Sequence, residues 1–348
     1  MKQKLLQDVV IIRLMLIVLL VLYHAFAIYN QAWKMPDGVS SVPAYWWIAS
    51  FAYSFMLEAF VFLSGYVYGY QVREKYNDTV SFKVTVLNKF KRLIVPSIVF
   101  SIIYILLFGN GQNISWGGQI YSIINGAGHM WFLPMLFWCF VLLYIIERLK
   151  CSKNFIFVLS ILAALLCIIP LPLRLSSTAY YFIFFYVGYY IQKNDICVGS
   201  IMNWKSISLF ISLFLIVFLC SNVFVNSDRL ISFSQESSLH KLCFVLIKNA
   251  AKLAYSGLGL ICAFAIINSL LKKGALKVNQ QMIRLSGFCF GVYIFQQFIL
   301  KFIIYNESIV SAFGSYWLPW FSFVVALSES LLLSWLFVKS KVGKFLIG

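Results

Sequence analysis

Residues 9–29 read VVIIRLMLIVLLVLYHAFAIY, an apolar and aromatic run of 21 positions broken only by Arg13 and His24. A hydrocarbon core of about 30 Å is crossed by roughly 20 helical residues at about 1.5 Å each. The run has that length and lacks the strict apolar–polar alternation of a half-buried strand. Nine further runs follow, at 45–70, 93–108, 130–146, 155–169, 180–191, 207–225, 244–271, 285–305 and 318–338. Ten-residue alternating segments, the mark of a closed membrane barrel, do not occur. The expectation is an all-α, polytopic membrane bundle of about ten helices, with 155–169 and 180–191 the shortest of them.

Composition agrees. Of 348 residues 62% are hydrophobic and 11% charged, against roughly 25% charged in soluble domains, and mean hydropathy is +0.87. A single integral-membrane domain over 1–348, without a soluble domain, is expected. The net charge of +17 raises the question of nucleic acid, but the basic residues sit in short loops between apolar runs. With the N-terminus in the cytoplasm, 20 of the 28 Lys and Arg fall in inner segments and four in outer ones. Arg13, Lys248, Lys252 and Lys301 lie within spans. This alternation is the positive-inside bias; it puts both termini in the cytoplasm and excludes a nucleic-acid partner. Ala25-Phe26-Ala27 resembles a signal-peptidase site, but Arg13 interrupts the preceding run, so the first helix is expected to stay. None of the eight cysteines forms a CxxC pair and most lie in apolar runs, so no metal is expected.

An ionisable group in hydrocarbon costs at least about 2.5–3.5 kcal/mol and points to function. Arg13 and His24 are eleven residues apart, close to three turns, and so share a face about 16 Å apart along the helix. Glu58 falls near mid-span of the second run, at a depth similar to His24. A carboxylate there would orient an imidazole and raise its basicity. Blander readings stand beside these: His24 bonded to a carbonyl, Arg13 reaching the inner head groups, Glu58 in an interhelical bond. His129 opens the fourth run, and Trp131 fits the interfacial aromatic belt. Lys248 and Lys252 share a face and either bind an anion or extend to head groups. Glu329 is deep in the last run, and His240 lies in a polar outer segment. The outer stretch 109–128, beginning Gly109-Asn110-Gly111-Gln112-Asn113, suits a sugar-binding loop or a plain solvated one. Soluble-enzyme motifs such as GxSxG, HExxH or a Gly-rich phosphate loop are absent.

Taken in order, several segments resemble the membrane-bound acyltransferase family 3, bacterial proteins that O-acylate surface glycans and related acceptors. Arg13 and His24 fit its Arg/Lys-x10-His signature. Glu58-Ala-Phe-Val-Phe-Leu-Ser64-Gly65-Tyr66 is similar to its acidic segment ending in Ser-Gly-Phe, and Lys89-Phe-Lys91-Arg92-Leu-Ile-Val-Pro96 to the basic lead-in of its third helix. His129-Met-Trp131-Phe132-Leu133 matches its His-x-Trp-Phe-Leu element. Phe185-Tyr186-Val-Gly188-Tyr189-Tyr190 and Ser286-Gly-Phe-Cys-Phe-Gly291-Val-Tyr293 resemble two later stretches. Where the family often has a second His, three residues after that Tyr, this chain has Gln296.

The resemblance implies an acyl-CoA-dependent acyltransferase in the bacterial inner membrane. Acetyl-CoA is the expected donor substrate, and the expected acceptor is a hydroxyl of a cell-surface or lipid-linked glycan. It implies His24 and Glu58 as catalytic residues and Arg13, Lys91 and Arg92 as donor-binding. His129, Trp131, Tyr293 and Gln296 would be acceptor-side or structural. Membrane lipids are the other partners, and the family's frequent extracytoplasmic esterase-like domain is not expected. The alternative is a non-enzymatic transporter or exporter of a glycan or acyl metabolite, its intramembrane charges lining a path; internal repeats, common in transporters, are not evident.

Overall fold

The computed structural model of the chain describes residues 6–76, 78–109, 115–167, 171–196 and 203–348, with 228, 229, 233 and 236 described by backbone alone. Among the described residues there is no strand. The helices are α1 (Gln7–Ala25), α2 (Pro43–Tyr53), α3 (Met56–Lys75), α4 (Val95–Phe108), α5 (Trp116–Asn125), α6 (Phe132–Leu149) and α7 (Lys153–Leu165), followed by α8 (Leu175–Lys193), α9 (Trp204–Val225), α10 (Asp228–Glu236), α11 (Ser238–Lys272), α12 (Gln280–Ile304), α13 (Glu307–Phe337) and α14 (Lys341–Ile347). In hydrocarbon no water bonds a stray N–H or C=O, so an unbroken apolar run becomes helix.

Starts are set by side chains. Ser152, Asn203, Ser227, Ser237, Asn279, Asn306 and Ser340 each accept a first-turn backbone N–H, capping α7, α9, α10, α11, α12, α13 and α14. Each cap satisfies a donor that the helix itself leaves over. Two π-helical turns, Lys83–Leu87 and Phe90–Ile94, lead into α4. Pro96, near its start, lacks the N–H that an ordinary α-helical turn needs, and widened turns are one way a helix absorbs such a gap.

Eight helical stretches among the described residues are long and apolar enough to cross a membrane, and they correspond to eight of the expected runs. The two shortest runs are helical as well: α7 has 13 residues, and α8 is diluted in apolar content by Ser, Thr and five Tyr. The protein is thus an all-α polytopic bundle. Its chain divides into two compact units. One comprises residues 1–56, 95–130 and 277–348, the other 57–94 and 131–276.

In the first unit α12 is central, packed against α1, α13 and α14, while α1 also meets α2 and α13. Ile12, Leu16 and Val21 of α1 are completely buried. Gly291 makes the α12–α13 approach possible, because a Cβ there would stand 2.4 Å from Ser334 Oγ. In the second unit α3 and α8 cross backbone to backbone. A Cβ on Gly65 would lie 2.0 Å from the Phe185 carbonyl oxygen, and one on Gly188 2.2 Å from that of Phe62. Small residues at such a crossing gain dispersion contacts where no hydrophobic force drives helices together. Further along α8, Lys193 pairs with Glu147 of α6 at 2.9 Å, and the Tyr189 hydroxyl donates to the same carboxylate at 3.0 Å.

Candidate functional site

His24 and His129 come together within the first unit, their ring centroids 6.5 Å apart and edge to face. His24 lies in the last turn of α1. His129 sits on a 3-10 turn, Gly128–Trp131, that precedes α6. Gly128 makes that turn possible: its φ is +56°, and a Cβ there would strike the Tyr104 ring at 2.5 Å.

The third wall is α12, where Tyr293, Gln297 and Lys301 recur at four-residue intervals and so share one face. The Tyr293 hydroxyl donates to the His129 carbonyl at 2.6 Å. Gln297 Oε1 accepts the His129 backbone N–H at 3.1 Å and lies 2.7 Å from Nδ1. The backbone donor fixes the orientation of that amide, since a flipped one would set N–H against NH₂. His129 Nε2 is 2.9 Å from the Ile294 carbonyl oxygen. Both nitrogens of the His129 ring therefore face protein oxygens, and neither is open to a substrate proton.

His24 is the opposite case. Its ring stacks on Trp33 at 5.7 Å with 16° between planes, and Gln296 lies beside it. Yet, among the described residues, His24 Nδ1 and both amide atoms of Gln296 are buried without a partner in bonding geometry. Gln296 is fully buried, and His24 is 8% exposed. Each unmade hydrogen bond at a buried group costs about 1–3 kcal/mol, so three in one place call for an explanation. A hydroxyl and a carbonyl oxygen entering here would supply the missing donor and acceptors. Lys301 stands one turn beyond Gln297, its ammonium 4.9 Å from the Tyr104 ring centroid, 5.3 Å from Phe108 and 5.8 Å from Trp33.

Arg13 belongs to the same unit. It is half-buried on α1, and its carbonyl oxygen faces the Cys289 thiol at 3.8 Å. Glu58, Lys91, Arg92 and Trp131 belong to the second unit. There Glu58 is completely buried, with Oε1 3.3 Å from Lys252 Nζ and 3.4 Å from the Tyr180 hydroxyl, while Oε2 has no partner. The Lys252 ammonium also lies over the Tyr180 and Tyr181 rings. Lys91 and Arg92 are exposed on the π-helical turn before α4. Trp131 lies under the Arg174 guanidinium at 5.9 Å. Of the polar outer stretch, residues 110–114 lie outside the described residues, and Trp116–Asn125 forms α5, whose Trp116 is exposed.

Gln297, Trp33, Tyr104 and Lys301 carry much of this geometry without having been singled out from the sequence. The signal that would have found three polar members of α12 is the Tyr-x3-Gln-x3-Lys spacing. The aromatic partners come from distant segments and leave no local signal.

A family model described as an acyltransferase domain matches residues 7–339, and no curated protein or solved structure matches the chain. Its motif segments, Arg13 to His24 on α1, His129 on its turn and the Ser286 to Tyr293 stretch on α12, all lie inside that match. Covering nearly the whole chain, it establishes that this protein belongs to the family of membrane acyltransferases.

Proposed function

We propose that the protein transfers an acyl group, acetyl in the first instance, from acyl-CoA to a hydroxyl of a cell-surface or lipid-linked glycan, with His24 as general base. The observation that carries this is the buried Nδ1 of His24, unpartnered among the described residues, next to a His129 whose two ring nitrogens both face protein oxygens. An alcohol is a poor nucleophile until a positioned base takes its proton, a service worth about 10²–10⁴-fold. In the proposed step His24 takes the hydroxyl proton as the oxygen attacks the thioester carbonyl. The tetrahedral intermediate collapses, the C–S bond breaks, and the proton passes to the departing CoA sulfur. Gln296 Nε2 is the donor offered to the charge developing on the carbonyl oxygen.

Donor binding within the first unit is assigned to Arg13. Guanidinium groups match phosphate geometry. Arg13 lies about 16 Å from His24 along α1 at ~1.5 Å per residue. A pantetheine arm is of that order of length, so phosphates near Arg13 are compatible with a thioester near His24. Glu58, whose bonds are to Lys252 and Tyr180 of the second unit, takes no step in this proposal.

The test is purified protein with radiolabelled acetyl-CoA and a glycan extract, scored for CoA release and label transfer. His24→Asn is expected to bind acetyl-CoA as the wild type does and to lose at least about 100-fold in turnover. Retention of most of the transfer rate would remove His24 as the base. Transport of label without CoA release would favour the transporter reading instead.

A further inference from the structure

Lys301 is a cation set among aromatic rings, within electrostatic reach of His129. Among the described residues it forms no ion pair; its ammonium is held over Tyr104, Phe108 and Trp33. A lysine near a helix end often extends to the head groups. Lys301 is three residues from the end of α12, but it is only partly exposed, whereas its neighbour Phe302 is 57% exposed. It therefore follows the face of α12 that holds His129, not the outward face. Ring quadrupoles hold an ammonium in place without neutralising it, which leaves its charge for a ligand.

That position has a fixed relation to the proposed base. Gln297 bonds His129, and Lys301 is one turn, about 6 Å, further along the same face. Trp33 touches both groups: it stacks on His24 at 5.7 Å and lies 5.8 Å from Lys301 Nζ. A flat aromatic face between a base and a cation is suited to a sugar ring whose hydroxyl reaches His24 and whose acidic substituent reaches Lys301. Resting on the acyl-transfer reading above, we infer that the acceptor is an anionic saccharide, bearing a carboxylate or phosphate close to the acylated hydroxyl, and that Lys301 and Trp33 select it.

The experiment uses the full chain in phosphatidylcholine nanodiscs, with binding followed by thermal shift as methyl glucuronide, glucose 1-phosphate or methyl glucoside is titrated, without acyl donor. In the wild type the two charged sugars are expected to bind at least about tenfold more tightly than the neutral one, as befits a charge-assisted contact. Lys301→Met, which keeps the alkyl packing, is expected to bring that ratio to about one, and Lys301→Arg to restore it. Equal binding of charged and neutral sugars by the wild type, no binding of any, or a preference that survives in Lys301→Met overturns the inference. So does a Lys301-dependent shift with phosphatidylglycerol nanodiscs but none with the sugars, since a lipid head group then occupies the cation. Charge-selective binding here, with no CoA release in the acetyl-CoA assay above, would keep the anion site and sink the acyl-transfer reading. CoA release with indifferent sugar binding would do the reverse.

Discussion

Two glutamines stand side by side on α12 and face opposite situations. Gln297 bonds the backbone and ring of His129, whereas the completely buried amide of Gln296 lies beside His24 and has no other partner among the described residues. Their substitutions should therefore separate. Gln297→Leu strips acceptors from two buried donors, each worth about 1–3 kcal/mol when left unmade, and a lower thermal midpoint in detergent is the expected result. Gln296→Leu removes an amide that lies beside His24 with no other partner among the described residues, so the midpoint is expected to fall less than in Gln297→Leu while acyl transfer falls. A large loss of stability in Gln296→Leu would show that the amide has a partner in the folded protein and would weaken the site as drawn. Residues that lower stability without evident structural return are where function is expected.

Among the elements, the crossing of α3 with α8 depends on glycine far more than most helix contacts do. Gly65 and Gly188 each place a backbone carbonyl where a side chain would begin. Forcing a methyl group into such a contact moves the backbone and costs typically about 1–3 kcal/mol or more. Gly65→Ala should lower the midpoint. Gly257→Ala on α11, where a Cβ meets nothing within 4 Å, should leave it unchanged or raise it, by up to about 1 kcal/mol from helix propensity. The comparison of the two alanines in one detergent checks the close crossing directly. The motif segments around Ser64-Gly65 and Gly188 thus have a packing reason: Ser64 bonds back to the Phe60 carbonyl at 2.9 Å, and no catalytic part need be assigned to it.

At the scale of the whole molecule the distribution of basic residues predicts the orientation of the chain. With twenty Lys and Arg in inner segments against four in outer ones, single cysteines at Asp37 and Asp78 are expected to react with an impermeant maleimide from outside and from inside respectively. The measurement is made on intact cells and on inverted vesicles; labelling of position 78 in intact cells would invert the topology.

The helices were legible in the sequence because hydrocarbon leaves the backbone no alternative: apolar runs such as 9–29 and 285–305 become α1 and α12 within a few residues of their expected ends. Of the short runs 155–169 and 180–191, residues 155–165 and 180–191 proved helical, although length and composition leave them apart from the eight clear spans. His24, His129, Tyr293 and Gln296 were legible as site candidates, since spacing on one helix and polar residues in apolar runs can be read along the chain. Their grouping was not. Bringing His129 against Gln297 joins positions 168 apart, and Lys301 meets Tyr104 and Trp33 from two other segments. Glu58, placed by depth alone at the level of His24, makes its bonds to Tyr180 and Lys252. Depth follows from residue count, but which face meets which neighbour follows from packing, here from where glycines admit close approach. The one-dimensional chain therefore determined the membrane bundle and its inventory of polar groups. Only the tertiary structure decided which histidine has its nitrogens occupied and which is left open, because a hydrogen bond needs both partners in place.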